Sequence, residues 1–244
     1  MTNIESSQPI TGSDSRRVLG RLTYAAVFLV VTRICFVHAW AAYENHLVQT
    51  KQYHSVMATA QYSSFVDSLF LLAQLAVLIF FFRPIPSIIT ARSSENSANR
   101  STIAHIGLGF LAGFVTFLAG ASFIGGPQSS TLGTFLANHF FTVSSLLLIV
   151  LVAVLIPVAS EIFFRGIFFR QLLESMPVVP ALILSTALFT WAWPMFNSIA
   201  AILLGLLTGA LYYRTRNILA CIVANATATV ALGIYVMCRA LLLV

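Results

Sequence analysis

Charge is what this sequence has least of. Only 8% of its 244 residues are Asp, Glu, Lys or Arg, about a third of the share a soluble domain carries. With 59% hydrophobic residues, a soluble fold of this size lacks the interior to hide so much apolar surface. Ten-residue segments of alternating polarity, the mark of a membrane β-barrel, are also missing, because the apolar runs are continuous. What remains is an all-α, polytopic membrane helix bundle. Lysine is nearly absent: Lys51 stands alone beside 12 arginines and 7 acids, for a net charge of +6. The basic residues are scattered between apolar runs and form no patch, which argues against a nucleic-acid partner. The three cysteines, Cys35, Cys221 and Cys238, lie inside apolar runs without a CxxC or Cys/His cluster. They offer neither a thiolate metal site nor a disulfide framework and read as small packing residues. All five histidines, His38, His46, His54, His105 and His139, precede residue 140, so the second half of the chain has no imidazole.

What is present is a series of apolar stretches, each about 20 residues, the length a bilayer requires. They run from about Leu22 to Tyr43, Tyr62 to Phe82, Thr102 to Ile124 and Phe140 to Ala159, the last flowing into residues 160–173. Two shorter ones, about Ala181 to Trp193 and Ser198 to Tyr213, follow Pro177 and Pro180. A last one starts near Ile218. The expected organisation is a disordered polar tail, residues 1–19, and a bundle of about seven spans, residues 20–244. With the tail on the cytoplasmic side, ten arginines fall on inner segments, and only Lys51 and Arg239 fall on outer ones. The protein is therefore expected in a cell membrane, of bacterial plasma-membrane type, with its N-terminus cytoplasmic. Gly109 and Gly113, and Gly205 and Gly209, are small-xxx-small pairs that allow close helix packing. Arg33 and Asp67 are deep enough in the first two spans to pair. That pair reads as an interhelical clamp, or more sharply as part of an ion path.

The densest chemistry is in "SEIFFRGIFFRQLL", residues 160–173. Glu161 and Arg165 are four residues apart, so a helix puts them on one face with the acid on the N-terminal side, the favourable order for a pair. Ionisable groups within a membrane mark functional sites, and a structural ion pair serves the spacing equally well. Asn225, Thr227 and Thr229, on the last span, are polar groups expected to bond across helices to Ser160 or Glu161.

This stretch resembles the first signature of the CPBP intramembrane proteases (the CAAX-protease-like or Abi family), two glutamates followed after three residues by Arg-Gly. "ALFTWAW", Ala187 to Trp193, occupies the place of the second signature, a Phe, three residues, then His. "LLGLLTGALYYRTRNILACIVANATA" is similar to the family's Gly-rich helix, Tyr/Arg turn and final helix, which carries a His with an Asn four residues on. The resemblance covers about residues 145–235. It implies a seven-span CPBP-like fold and hydrolysis of a membrane-associated peptide or protein by a water that the first glutamate and two histidines activate. A metal's part in that chemistry is debated.

The departures fall on those residues. Ser160 replaces the first glutamate, Trp193 the second-signature histidine, and Asn225 and Thr229 the third-signature His and Asn; Glu161 and Arg165 are retained. Attack on an amide needs a base or a Lewis acid. Serine, tryptophan and asparagine supply neither at neutral pH, so no cofactor is expected. Glu161 lies about 100° further round the helix than Ser160 and need not face the same cavity. Other candidates are Ser160 as a nucleophile, Glu161 in the missing glutamate's role, or His105 or His139 entering from another helix. The expected function is that of a CPBP-family protein with impaired catalysis that binds a hydrophobic peptide or membrane partner, in the bacteriocin or immunity setting found among such proteins. The competing class is a small transporter or channel using Arg33–Asp67 and Glu161–Arg165. Two halves with matching broken helices would favour that class, and the sequence has none.

Overall fold

The computed structural model describes residues 12–49, 56–81, 98–122, 147, 149–192 and 198–242. Among them are seven helices: α1 (Gly12–Gln49), α2 (Val56–Phe81), α3 (Ala98–Ala121), α4 (Leu151–Ser175), α5 (Val178–Ala192), α6 (Ser198–Thr215) and α7 (Ile218–Leu242). Five contain stretches long and apolar enough to cross a bilayer, and two shorter apolar helices, Val66–Phe81 and Val178–Ala192, accompany them. Large apolar side chains cover the outside, among them Phe28, Val31, Phe81, Phe110, Ile183 and Ile234. Arg33, Glu161, Arg165 and Asn225 are buried. Apolar surface outward and paired charge inward is the arrangement a bilayer selects. The protein is a multi-pass helical membrane protein.

Two boundaries depart from the sequence reading. First, α1 begins at Gly12 and takes in residues 12–19, which composition assigns to the tail; residues 1–11 lie outside the described residues. Second, the fourth span, read as about Phe140 to Ala159 and flowing into the motif, runs well past Ala159. It continues to Ser175, so the Glu161–Arg165 motif occupies the middle of α4. Glu161 and Arg165 are accommodated within the span because each neutralises the other. The helix stops where Met176 turns extended (φ −152°, ψ 164°) ahead of Pro177, the residue before a proline being disfavoured in the α region. Residues 123–146, with His139 and the Gly/Ser-rich loop, the segments 50–55 and 82–97, and Trp193 also lie outside the described residues.

Helix α4 is the centre of the bundle. It alternates π turns (Leu151–Leu155 and Ile162–Phe169) with α turns (Ile156–Glu161 and Arg170–Ser175). Pro157, at the start of the first α segment, has no N–H to give the preceding turn and its ring crowds that turn, which accounts for the widened backbone before it. Phe163 to Phe169 are all buried, as expected for a segment apolar on every side.

Side-chain contacts fix the helix directions. On α3, Gly109 meets the Ala220 carbonyl and Gly113 the Ala224 carbonyl of α7, and Gly120 faces Leu232, so α3 and α7 run parallel. Gly205 of α6 faces Thr186 of α5, and Gly209 faces Leu182, so those two helices are antiparallel. Arg165 reaches Gly205 and Phe169 meets Tyr212, so α4 runs with α6. The start of α3, the end of α4, the end of α6 and the start of α7 therefore share one end of the bundle. Both glycine pairs singled out in the sequence sit at these close approaches. The Arg33–Asp67 pair joins α1 to α2 as a bidentate ion pair, with N–O distances of 2.6 and 2.7 Å. Gln74 bonds Thr32 alongside it, and Phe36 stacks on Phe70 with centroids 4.1 Å apart.

Candidate functional site

Four helices meet at the middle of α4. Ser160, Glu161 and Asn225 have no exposed surface, and Arg165 is 1% exposed. The Asn225 amide nitrogen, on α7, donates to Glu161 Oε1 at 2.8 Å and to Ser160 Oγ at 3.2 Å. Thr229, one turn on, donates to Asn225 Oδ1 at 3.4 Å. Ser160 Oγ donates to the Pro157 carbonyl at 3.1 Å. Glu161 Oε2 lies 3.2 Å from Arg165 Nε. The sequence leaves open whether Glu161 faces the same space as Ser160. It does, because one amide bonds both.

Arg165 is held on three sides. Glu161 neutralises it, its Nη2 donates to the Gly205 carbonyl at 3.2 Å, and the Phe189 ring lies under its Cζ at 4.2 Å. Phe189 is the phenylalanine of the "ALFTWAW" stretch, and Gly205 belongs to one of the small-residue pairs. Nothing in the sequence marks either as a partner of the arginine. The aromatic position is visible, but its use as a cation platform depends on the α4–α5 crossing. A glycine carbonyl is approachable because no side chain screens it. A Cβ at Gly205 would meet Thr186 Cγ2 at 2.8 Å. Ser185 bonds the Phe164 carbonyl at 3.4 Å and ties α5 to the π segment. Cys221 donates to the Thr208 carbonyl at 3.4 Å beside this network, which fits its reading as a packing residue.

The arrangement is a closed polar network in an apolar bundle. Its carboxylate is engaged by a guanidinium and an amide, and its serine proton goes to a backbone carbonyl. Serine attack would need a base at that proton, and none of the network's members is placed as one. Of the two histidines considered as late entrants, His105 is on α3, and the partners of Glu161 are Arg165 and Asn225; His139 lies outside the described residues. No group of three His, Cys, Asp or Glu side chains capable of holding a metal occurs among the described residues. One ion-paired carboxylate, an amide and two hydroxyls are a poor donor set for a catalytic zinc, which takes three His, Cys or carboxylate ligands.

Fold and site together define a helical membrane protein with a buried glutamate–arginine pair at its centre. Residues 142–231 match the family of the type II CAAX prenyl endopeptidases, Rce1-like, in agreement with a protein of CPBP type and with the stretch whose signatures carry the resemblance. No curated protein and no solved structure matches the chain.

Proposed function

We propose that this chain is a CPBP-type membrane protein that has exchanged peptide hydrolysis for binding a hydrophobic peptide or membrane partner. The observation that carries the reading is the closure of the Ser160–Glu161–Arg165–Asn225 network. Ser160, Glu161 and Asn225 are each engaged by a side chain or a carbonyl, Glu161 Oε2 and Arg165 Nε meet as an ion pair, Arg165 Nη1 has no hydrogen-bond partner, and none of these groups is arranged to deprotonate water. An apolar cleft of about 550 Å³ between α1 and α2, lined by Tyr24, Phe28, Val77 and Phe81 with Arg21 at its edge, supports the binding half. The Arg33–Asp67 geometry favours the clamp over an ion path, because both carboxylate oxygens are taken by one guanidinium.

The bundle end that gathers Arg170, Arg214 and Arg216 is the cytoplasmic end by the distribution of positive charge. On this reading the start of α3 is inside and the end of α7 outside. The test is cleavage of a membrane-anchored peptide by the purified full chain in detergent, beside Glu161→Gln, which keeps an acceptor for Asn225. No cleavage, with thermal stabilisation by the peptide, is the expected result. Cleavage that Glu161→Gln abolishes refutes the reading, and ion flux in proteoliposomes would replace it with the transporter.

A further inference from the structure

The "YYRTRN" turn between α6 and α7 has no part in the network above, and its backbone is unusual. Arg216 is the one non-glycine residue with positive φ (52°) among those described. It sits just past the end of α6, where its N–H bonds the Tyr212 carbonyl at 2.8 Å. Asn217 then starts α7, its side chain accepting from the Leu219 N–H at 3.0 Å. A left-handed residue after a helix end is ordinarily glycine, since a Cβ is disfavoured there. An arginine in this position gives up backbone comfort for its side chain.

That side chain lies over aromatic rings, with Cζ 6.0 Å from the Tyr212 centroid and 5.7 Å from that of Tyr213. Arg170, near the end of α4, also interacts electrostatically with the buried Tyr212. Arg214 is exposed two residues away. The acid in this group is Glu174, 3.9 Å from Arg170. Arg214 and Arg216 have no carboxylate partner among the described residues, unlike Arg33 and Arg165. Tyr213 and Leu219 turn outward beside them, 45% and 53% exposed on the apolar surface. Unpaired guanidiniums, a tyrosine pair and an adjoining apolar face, all at one end of the spans, match a molecule with an anionic head and hydrocarbon tails.

We propose that the α6–α7 turn, with Arg170, is a binding site for the phosphate headgroup of an anionic phospholipid. Arg214 and Arg216 supply charge-assisted hydrogen bonds to the phosphate oxygens, Tyr213 lies at headgroup level, and the acyl chains run along Leu219.

The test is the shift in unfolding temperature of the detergent-purified full chain titrated with dioleoyl phosphatidylglycerol, dioleoyl phosphatidylcholine or inorganic phosphate. Phosphatidylglycerol is expected to raise the midpoint, and the other two are not. Each arginine removed by Arg214→Gln or Arg216→Gln is expected to weaken half-saturation about fivefold, while Arg239→Gln, which removes the same charge from the far end of α7, leaves the titration unchanged. Arg216→Gly guards against misfolding, because glycine suits the left-handed position: it should fold as well as the native chain without lipid and still lose the response. An undiminished phosphatidylglycerol shift in Arg216→Gly, an equal shift with phosphatidylcholine or phosphate, or an equal loss in Arg239→Gln overturns the site.

Discussion

Separating Glu161 from Arg165 should cost far more than removing both. Each group is within 1% of full burial, so neither substitution leaves a charge that water can reach. Losing one partner of a buried pair typically costs about 3–5 kcal/mol, because the other charge is then uncompensated. In Glu161→Gln, Arg165 keeps the Gly205 carbonyl and the Phe189 ring, so the cost should fall near 3 kcal/mol, about the lower end of that range. In Arg165→Met, Glu161 keeps only the Asn225 bond, and the cost should be nearer 5 kcal/mol, about the upper end. The double variant Glu161→Gln, Arg165→Met carries no charge and nearly the native volume, and should lose about 1–2 kcal/mol, chiefly from the stranded Gly205 carbonyl. The coupling energy is then several kcal/mol, read from reversible unfolding of the four proteins in mixed micelles. If the two single costs add in the double variant to within about 0.5 kcal/mol, the groups are not an isolated buried pair, and mutual neutralisation is not what keeps charge in the middle of α4.

Two further outcomes test the packing around that pair. Gly109→Ala and Gly113→Ala drive a methyl into the Ala220 and Ala224 carbonyls and should destabilise by about 1–3 kcal/mol each. Gly107→Ala, also in α3 but with nothing within 4 Å, should stabilise by up to about 1 kcal/mol in the same unfolding assay. The apolar double replacement Arg33→Met, Asp67→Leu should fold with a stability within about 2 kcal/mol of the native chain, as for other buried pairs, whereas Arg33→Met alone should be clearly less stable. A double variant as unstable as the single would show that these charges do more than clamp α1 to α2.

Much of the fold is legible in the sequence because a bilayer simplifies the reading. Each of the seven apolar stretches overlaps a helix among the described residues, the glycine pairs become close crossings, and Arg33 finds Asp67, since intramembrane charges have few places to go. How far the fourth span runs beyond Ala159 is harder to read. A hydropathy reading cannot foresee that Glu161, the Gly205 carbonyl and the Phe189 ring hold Arg165 from three directions. Two of those three partners come from other helices. The π turns of α4 and the left-handed Arg216 are likewise hidden. Pro157 hints at the first, but the second runs against the residue preference for its position.

The positions that resemble the family divide physically into two sets. Glu161, Arg165 and Phe189, which keep the signature residue types, hold one another in a stack across α4 and α5, and Gly205 of the Gly-rich helix completes it. Ser160, Asn225 and Thr229, which depart from those types, form a chain of neutral hydrogen bonds ending on the Pro157 carbonyl. The first set keeps a charge solvated inside a bilayer, and its loss would endanger the helix packing whether or not the protein acts on a substrate. The second set would carry proton transfer, and its members are neutral groups that exchange protons poorly near pH 7. On the proposed reading, the first set maintains the helix packing and the second no longer makes water reactive. That is why the retained Glu161–Arg165 pair, taken alone, is better evidence for the fold than for the chemistry.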